Sequence, residues 1–151
     1  MTRILITGMS GTGKTTLLNE LASRGCQTVD TDYDGWTTPD GTWDEPRIED
    51  LLKAEPNIVV SGTVKNQARF YPKFAEIILL SVPIDVLLDR IAKRTNNPYG
   101  KIPEQLAEIR SYVITVEPLL RLGATQELDG RLPSNVLADT VQCLAKDLAP
   151  T

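Results

Sequence analysis

Short runs of consecutive apolar residues alternate along the chain with longer stretches whose apolar positions recur every three to four residues. The first pattern fits strands buried on both faces, and the second fits amphipathic helices. Strands are expected at Arg3 to Thr7 (RILIT), Cys26 to Val29, Asn57 to Ser61 (NIVVS), Glu76 to Ser81 (EIILLS) and a less apolar run, Thr125 to Leu128. The first helix is expected from Lys14 to Arg24, with Leu17, Leu18, Leu21 and Ala22 on one face and Gly25 as its stop. Others are expected from about Arg47 to Ala54, from Pro83 through Val86, Leu87, Ile91 and Ala92, and from a Ser134 cap to about Leu148. Between them, Pro103 to Leu122 has a helical pattern that Pro118 should kink or split. Strands that alternate with helices predict a five-stranded parallel sheet in a three-layer α/β sandwich, with one domain spanning 1–151.

Composition narrows the chemistry. With 41% hydrophobic and 24% charged residues in 151, the chain can bury a core without staples. Its 16 basic and 20 acidic residues leave a net charge of −4, which argues against a nucleic-acid or anionic-membrane binder. There is no histidine, so a Ser-His-Asp triad, an HExxH zinc site and an imidazole proton shuttle are all excluded. Cys26 and Cys143 are too few for a four-cysteine zinc site, and two distant thiols suit a reducing cytosol. No apolar run approaches the roughly 18 residues of a membrane span. A cytoplasmic location is expected, and catalysis would run on carboxylates, Lys, Arg, hydroxyls, backbone amides and Mg²⁺.

Gly8 to Thr15 reads GMSGTGKT, a full match to GxxxxGK[ST] set between an expected strand and an expected helix. Gly8, Gly11 and Gly13 let the backbone curl so that successive amides point at phosphate oxygens. Met9, Ser10 and Thr12 lie in the same curl, and Thr16 follows in the first helical turn. The helix beginning at Lys14 presents its positive dipole end to the same anion. Lys14 is placed to neutralise the β- and γ-phosphates, and the Thr15 hydroxyl can ligate Mg²⁺. The alternative, glycines that merely make a tight turn, carries little weight in this strand–loop–helix setting.

The second strand runs into VDTDYDGW, placing Asp30, Asp32 and Asp34 near its carboxyl end, where ligands bind in open α/β sheets. Strand alternation puts Asp30 and Asp32 on one side. One carboxylate could serve Mg²⁺ and another could orient or deprotonate an acceptor hydroxyl. A polar turn is the plainer alternative, and it suits Asp34 best.

The glycine-rich loop, the Asp-x-Asp and a later basic stretch together resemble the small P-loop kinases of the adenylate kinase and shikimate kinase-like group. The resemblance covers nearly the whole chain and implies a P-loop NTPase fold with ATP and Mg²⁺ as cofactors. It implies Mg²⁺ binding for Asp30 beside Thr15, and an acceptor-orienting or base role for Asp32. NIVVSGT lacks the acid some relatives carry after the third strand, which shifts the metal burden to Thr15 and the aspartates.

The sequence LLDRIAKRTNNPYGK is similar to the adenylate kinase helix that ends in a phosphate-covering lid, here about 94–103. The resemblance implies that Arg90 and Arg94 grip the nucleotide. Guanidinium groups one helical turn apart share a face and can straddle a triphosphate. A solvated helix end, where cations offset the dipole, is the alternative and explains Lys93 well. Arg110 resembles a post-lid arginine of the family. The loop after the last strand, Gly130, Arg131, Leu132 and Pro133, is implied to contact adenine. No NKxD guanine-reading motif occurs, which favours ATP over GTP.

Between Asp30 and Asp50 stand eight acids against one base, Arg47, together with both tryptophans, Trp36 and Trp43. This segment, about 33–50, is the expected acceptor insert. Its shortage of arginine points to an acceptor without a phosphate, such as a nucleoside, a shikimate-like or sugar-like polyol, or an amine-bearing compound. Asp34, Trp36 and Trp43 would contact it. A solvated acidic surface with tryptophans plugging the core fits the same residues. Gln67 keeps a nucleoside monophosphate kinase open, since a comparable Gln reads the acceptor base there. The expected function is an ATP- and Mg²⁺-dependent small-molecule kinase, as a monomer or homodimer. A nucleotide-binding regulatory NTPase is the alternative of another class.

Overall fold

The computed structural model describes residues 2–94 and 99–145. Residues 95–98 of the expected lid and 146–148 of the expected last helix lie outside these. Five strands, β1 (Arg3–Thr7), β2 (Thr28–Asp30), β3 (Ile58–Ser61), β4 (Glu76–Ser81) and β5 (Gln126–Asp129), form one sheet in the order β2-β3-β1-β4-β5. Every pairing is parallel, with Ile4 opposite Val59, Leu5 opposite Ile77 and Asp30 opposite Ser61.

Strand alternation divides the core as the pleat requires. Ile4 and Ile6 of β1, Val59 of β3, and Ile78 and Leu80 of β4 face one layer. That layer is α1 (Lys14–Ser23) and α6 (Ser134–Leu144), which supply Leu17, Leu18, Leu21, Leu137 and Val141. Leu5, Ile58, Val60 and Ile77 face the opposite layer, where α2 (Glu45–Ala54) contributes Ile48 and Leu52. Leu79 faces it too, against α3 (Ile84–Lys93), α4 (Pro103–Thr115) and α5 (Glu117–Gly123) through Leu87, Ile91, Ile109 and Leu120. The expected three-layer α/β sandwich is therefore present.

Local chemistry sets the boundaries. Asp44 caps α2 by accepting from the Arg47 amide, so that helix starts two residues before the expected point. The long 103–122 pattern breaks at Val116, two residues before Pro118, because proline is accommodated in the first turn of a new helix but not inside an old one. Ser134 does not cap α6. Pro133 holds the cap position with extended dihedrals, and Ser134 is the first helical residue. A short 3₁₀ helix, Gln67–Lys73, was not evident in the pattern; Phe70 within it and Phe74 just after it are buried against β3 and β4. Among the described residues no helix is long and apolar enough to cross a membrane.

Candidate active site

The carboxyl ends of the central strands open into a cleft of about 1090 Å³. Its floor is the Gly8–Thr15 loop between β1 and α1. Gly13 takes a left-handed φ of 102°, which L side chains rarely adopt, and so turns the loop into the helix. No side chain caps α1 and no acid occupies its first turn. Among the described residues, the Lys14, Thr15 and Thr16 amides have no protein acceptor, and the first closed helical bond runs from Leu17 to Gly13. Orphan amides at a positive dipole end make an anion seat.

Lys14 is half-buried and folds back over this loop, its Nζ donating to the carbonyls of Gly8 (2.6 Å) and Met9 (3.1 Å). Burial lowers its pKa from the ordinary 10.5 to about 8, opposed by the nearby carboxylates of Asp32 and Asp30 and reinforced by Arg94. A partly desolvated ammonium of this kind gains more from a phosphate than a hydrated one does.

Asp30 ends β2, and its Oδ2 accepts a hydrogen bond from Thr15 Oγ1 at 2.9 Å. Its other oxygen accepts from the Asp32 amide at 3.1 Å, fixing the turn that carries Asp32 to the cleft. The Asp32 carboxyl is raised above its usual range by loss of water, more than the Lys14 charge lowers it, with Asp30 adding to the rise. No cluster of three or more acidic or thiol ligands occurs among the described residues. A hydroxyl beside one carboxylate still fits Mg²⁺, which keeps waters and phosphate oxygens rather than filling a protein cage.

A residue that motif reasoning missed is Thr63, just beyond β3. Its hydroxyl donates to the Gly8 carbonyl (2.7 Å), accepts from the Gly8 amide (3.2 Å) and lies 3.0 Å from Thr7 Oγ1. It pins the start of the loop from the neighbouring strand. Only the β1–β3 adjacency identifies it, because a lone Thr after NIVVSG carries no motif.

Both arginines expected to grip the nucleotide reach the loop. Arg90 donates to the carbonyls of Gly11 and Thr12 (3.3 Å each) and Gly130 (2.8 Å), and Arg94 to Ser10 Oγ (2.9 Å) and the Tyr99 carbonyl (2.7 Å). Lys101 closes the end of α3 by bonding the Ile91 and Ala92 carbonyls, and Lys93 pairs with Asp89 on the exposed face. In the loop after β5, Gly130 and Leu132 line the cleft whereas Arg131 and Pro133 do not; Arg131 instead pairs with Asp129.

The acceptor expectations need more correction. Trp43 is 1% exposed: its Nε1 donates to Thr31 Oγ1 (2.9 Å) and its ring meets Phe70 edge-on, so it is a core residue and not a cleft residue. Trp36 lies under the Arg47 guanidinium, 4.1 Å from the ring centroid, at the outer flank of β2 together with Asp34. Neither of them lines the main cleft. Arg110 is exposed and also lies outside the cleft lining, on the face of α4 that turns away from the core residue Ile109. Gln67 lines the cleft, but its amide bonds Thr7, Tyr71 and the Val64 amide, which leaves it a structural part. From the expected insert, the cleft instead receives Tyr33 and the hairpin tip Asp40–Gly41.

A family model described as an AAA domain matches residues 4–111. No curated sequence relative matches the chain. Among solved structures, a shikimate kinase from Acinetobacter baumannii in complex with shikimate is 19% identical, with 97% of this chain and 94% of that one covered and a TM-score of 0.72. A sugar kinase from Janibacter is 19% identical over 100% and 99% of the two chains, TM-score 0.64. A gluconokinase from Sinorhizobium meliloti is 17% identical over 98% and 93%, TM-score 0.61. These likenesses show the fold that the chain shares with P-loop kinases.

Proposed function

The chain belongs to the AAA-domain family, and from that premise we propose that it is an ATP-dependent phosphotransferase acting on a hydroxyl of a small molecule. One observation carries this reading: Lys14, the Thr15–Asp30 pair and Asp32 all meet at one glycine-rich loop that faces one cleft. The orphan amides and Lys14 would take the β- and γ-phosphates. Thr15 and Asp30 would hold Mg²⁺, which when bound neutralises charge on those phosphates.

Asp32, with its raised pKa, would orient the acceptor hydroxyl and receive its proton as the oxygen attacks the γ-phosphorus and the bond to ADP breaks. Arg90 and Arg94 would stabilise the charge spread over the moving phosphoryl group. The cleft extends from the glycine-rich loop to Tyr71, Tyr112 and Leu119, and this extent supports a kinase over a nucleotide switch, which needs no acceptor site.

The test is ADP release with Mg-ATP against nucleosides, nucleoside monophosphates, shikimate-like acids and aminoglycosides, with Lys14→Ala as control. Acceptor-dependent release that Lys14→Ala abolishes is expected. Release indifferent to every acceptor, or full activity in Lys14→Ala, would overturn the assignment.

A further inference from the structure

We propose that the acceptor is an uncharged hydroxyl compound with a planar or otherwise apolar ring, bearing neither phosphate nor carboxylate; this rests on the kinase reading above and names its substrate class. The first argument is charge. A phosphate or carboxylate on the acceptor calls for a guanidinium fork. The two arginines that line the cleft are both engaged at its nucleotide end, on the carbonyls of Gly11, Thr12, Gly130 and Tyr99 and on the Ser10 hydroxyl.

The other arginines of the described residues lie outside the cleft lining, Arg110 among them, exposed on α4. Arg69 pairs with Glu45, Arg121 with Glu117 and Glu127, and Arg47 with backbone carbonyls over Trp36. Lys14 belongs to the glycine-rich loop, and the other lysine of the described lining, the exposed Lys65, is outweighed in charge by Asp32 and Asp40. Asp40 stays ionised, because Thr38 and Thr42 hydroxyls hold its carboxyl down to about 2. An anionic acceptor would meet a cleft end without net positive charge.

The second argument is surface chemistry. The cleft that holds Asp32 is also walled by Tyr71 of the 3₁₀ helix, Ile109 and Tyr112 of α4, and Val116, Leu119 and Leu120 of α5. The wall is continuous, since the Tyr71 ring packs so closely on Gly123 that a Cβ there would collide with it. Within this wall Tyr112 is 43% exposed and Leu119 65% exposed, apolar side chains turned into a cavity. A polyol would find few partners on this wall besides the Tyr71 and Tyr112 hydroxyls, whereas an apolar ring would remove its carbon surface from water. Ligand sites gain affinity from such walls and orientation from a few polar groups, here Asp32 and Lys65.

The test uses 2-naphthylmethanol as the neutral probe, with gluconate, shikimate and thymidine monophosphate as anionic ones. Each is titrated into the protein with and without a saturating non-hydrolysable ATP analogue and Mg²⁺, and followed by saturation-transfer NMR. Naphthylmethanol is expected to bind at least tenfold more tightly than each anion. Leu119→Glu, at an exposed position that should fold normally, is expected to weaken it at least tenfold while ATP-analogue affinity holds. An anion that binds as tightly, no naphthylmethanol binding, or binding unmoved by Leu119→Glu would overturn the proposal. Failure of the ATP analogue to bind would overturn the kinase reading alone, because the nucleotide-free titration still reads the cleft wall.

Discussion

Thr15 Oγ1 donates a 2.9 Å hydrogen bond to Asp30 Oδ2, joining the first turn of α1 to the last residue of β2. With its proton held by the carboxylate, the hydroxyl would offer its lone pairs to a cation, as the proposed Mg²⁺ site requires. Asp30→Asn should raise the Mg²⁺ concentration needed for half-maximal turnover by roughly 10–100-fold. Thr15→Ser should leave that requirement near the wild-type value. A Mg²⁺ titration of ADP release at fixed ATP reads both, and an unchanged requirement in Asp30→Asn would remove this pair from the metal site.

Lys14 sets a pH dependence whose sign follows from its depressed pKa of about 8. Bound triphosphate raises that pKa, so below pH 8 both free and bound forms carry the proton and ATP affinity is flat. Above pH 8 the free protein loses the proton first, and affinity should fall by up to about tenfold per pH unit. The same depression means that the nucleotide-free protein gains stability from this group as pH rises from about 8 toward 10.5. Calorimetry in buffers of different ionisation enthalpy should show proton uptake on binding at pH 9, and Lys14→Met should show none.

Arg90 joins three carbonyls from two loops, Gly11 and Thr12 on one side and Gly130 on the other. Losing a charged donor to such carbonyls costs about 1.5–3 kcal/mol. Arg90→Gln should therefore lower Tm by several degrees and lower kcat at least as much as it raises the KM for ATP. Gly130→Ala tests the same joint from the other side, since its Cβ would lie 2.6 Å from the Thr12 carbonyl. Wild-type thermal unfolding and ATP affinity in both variants would show that the joint is dispensable.

The two tryptophans should behave oppositely to a paired acceptor role. Trp43→Ala empties a fully buried site and leaves the Thr31 hydroxyl without its donor, a loss of about 3–5 kcal/mol in urea unfolding. Trp36→Ala removes a half-exposed ring under Arg47 and should cost about 1 kcal/mol or less. Neither should change the acceptor KM in protein that remains folded. A selective rise in that KM for Trp36→Ala would return it to the binding site.

The elements that announced themselves were those whose signal is local. RILIT, NIVVS and EIILLS are runs whose apolar residues are buried by neighbours on both faces, and GMSGTGKT specifies its own turn. Pro118 declared a break, and the structure places it two residues earlier, where proline costs nothing. The acceptor side was harder to read. Asp34, Trp36 and Trp43 stand within eleven residues of Asp32 in sequence, yet of these four only Asp32 faces the main cleft. β2 is the edge strand, and the hairpin bridge between Thr37 and Trp43 folds the segment back so that its ring enters the core.

By itself, the sequence determined the layered parallel architecture, the phosphate-binding loop and the presence of Asp30 and Asp32 at its rim, because periodicity and glycine spacing act over a few residues. Tertiary structure alone decided that Thr63 pins that loop, that Arg90 locks it to Gly130, and that Tyr71, Tyr112 and Leu119 build one apolar wall. Those groups lie tens of residues apart and meet only because parallel strands place every carboxyl end on one rim. Which side chains converge there depends on strand order, a property that no local pattern encodes.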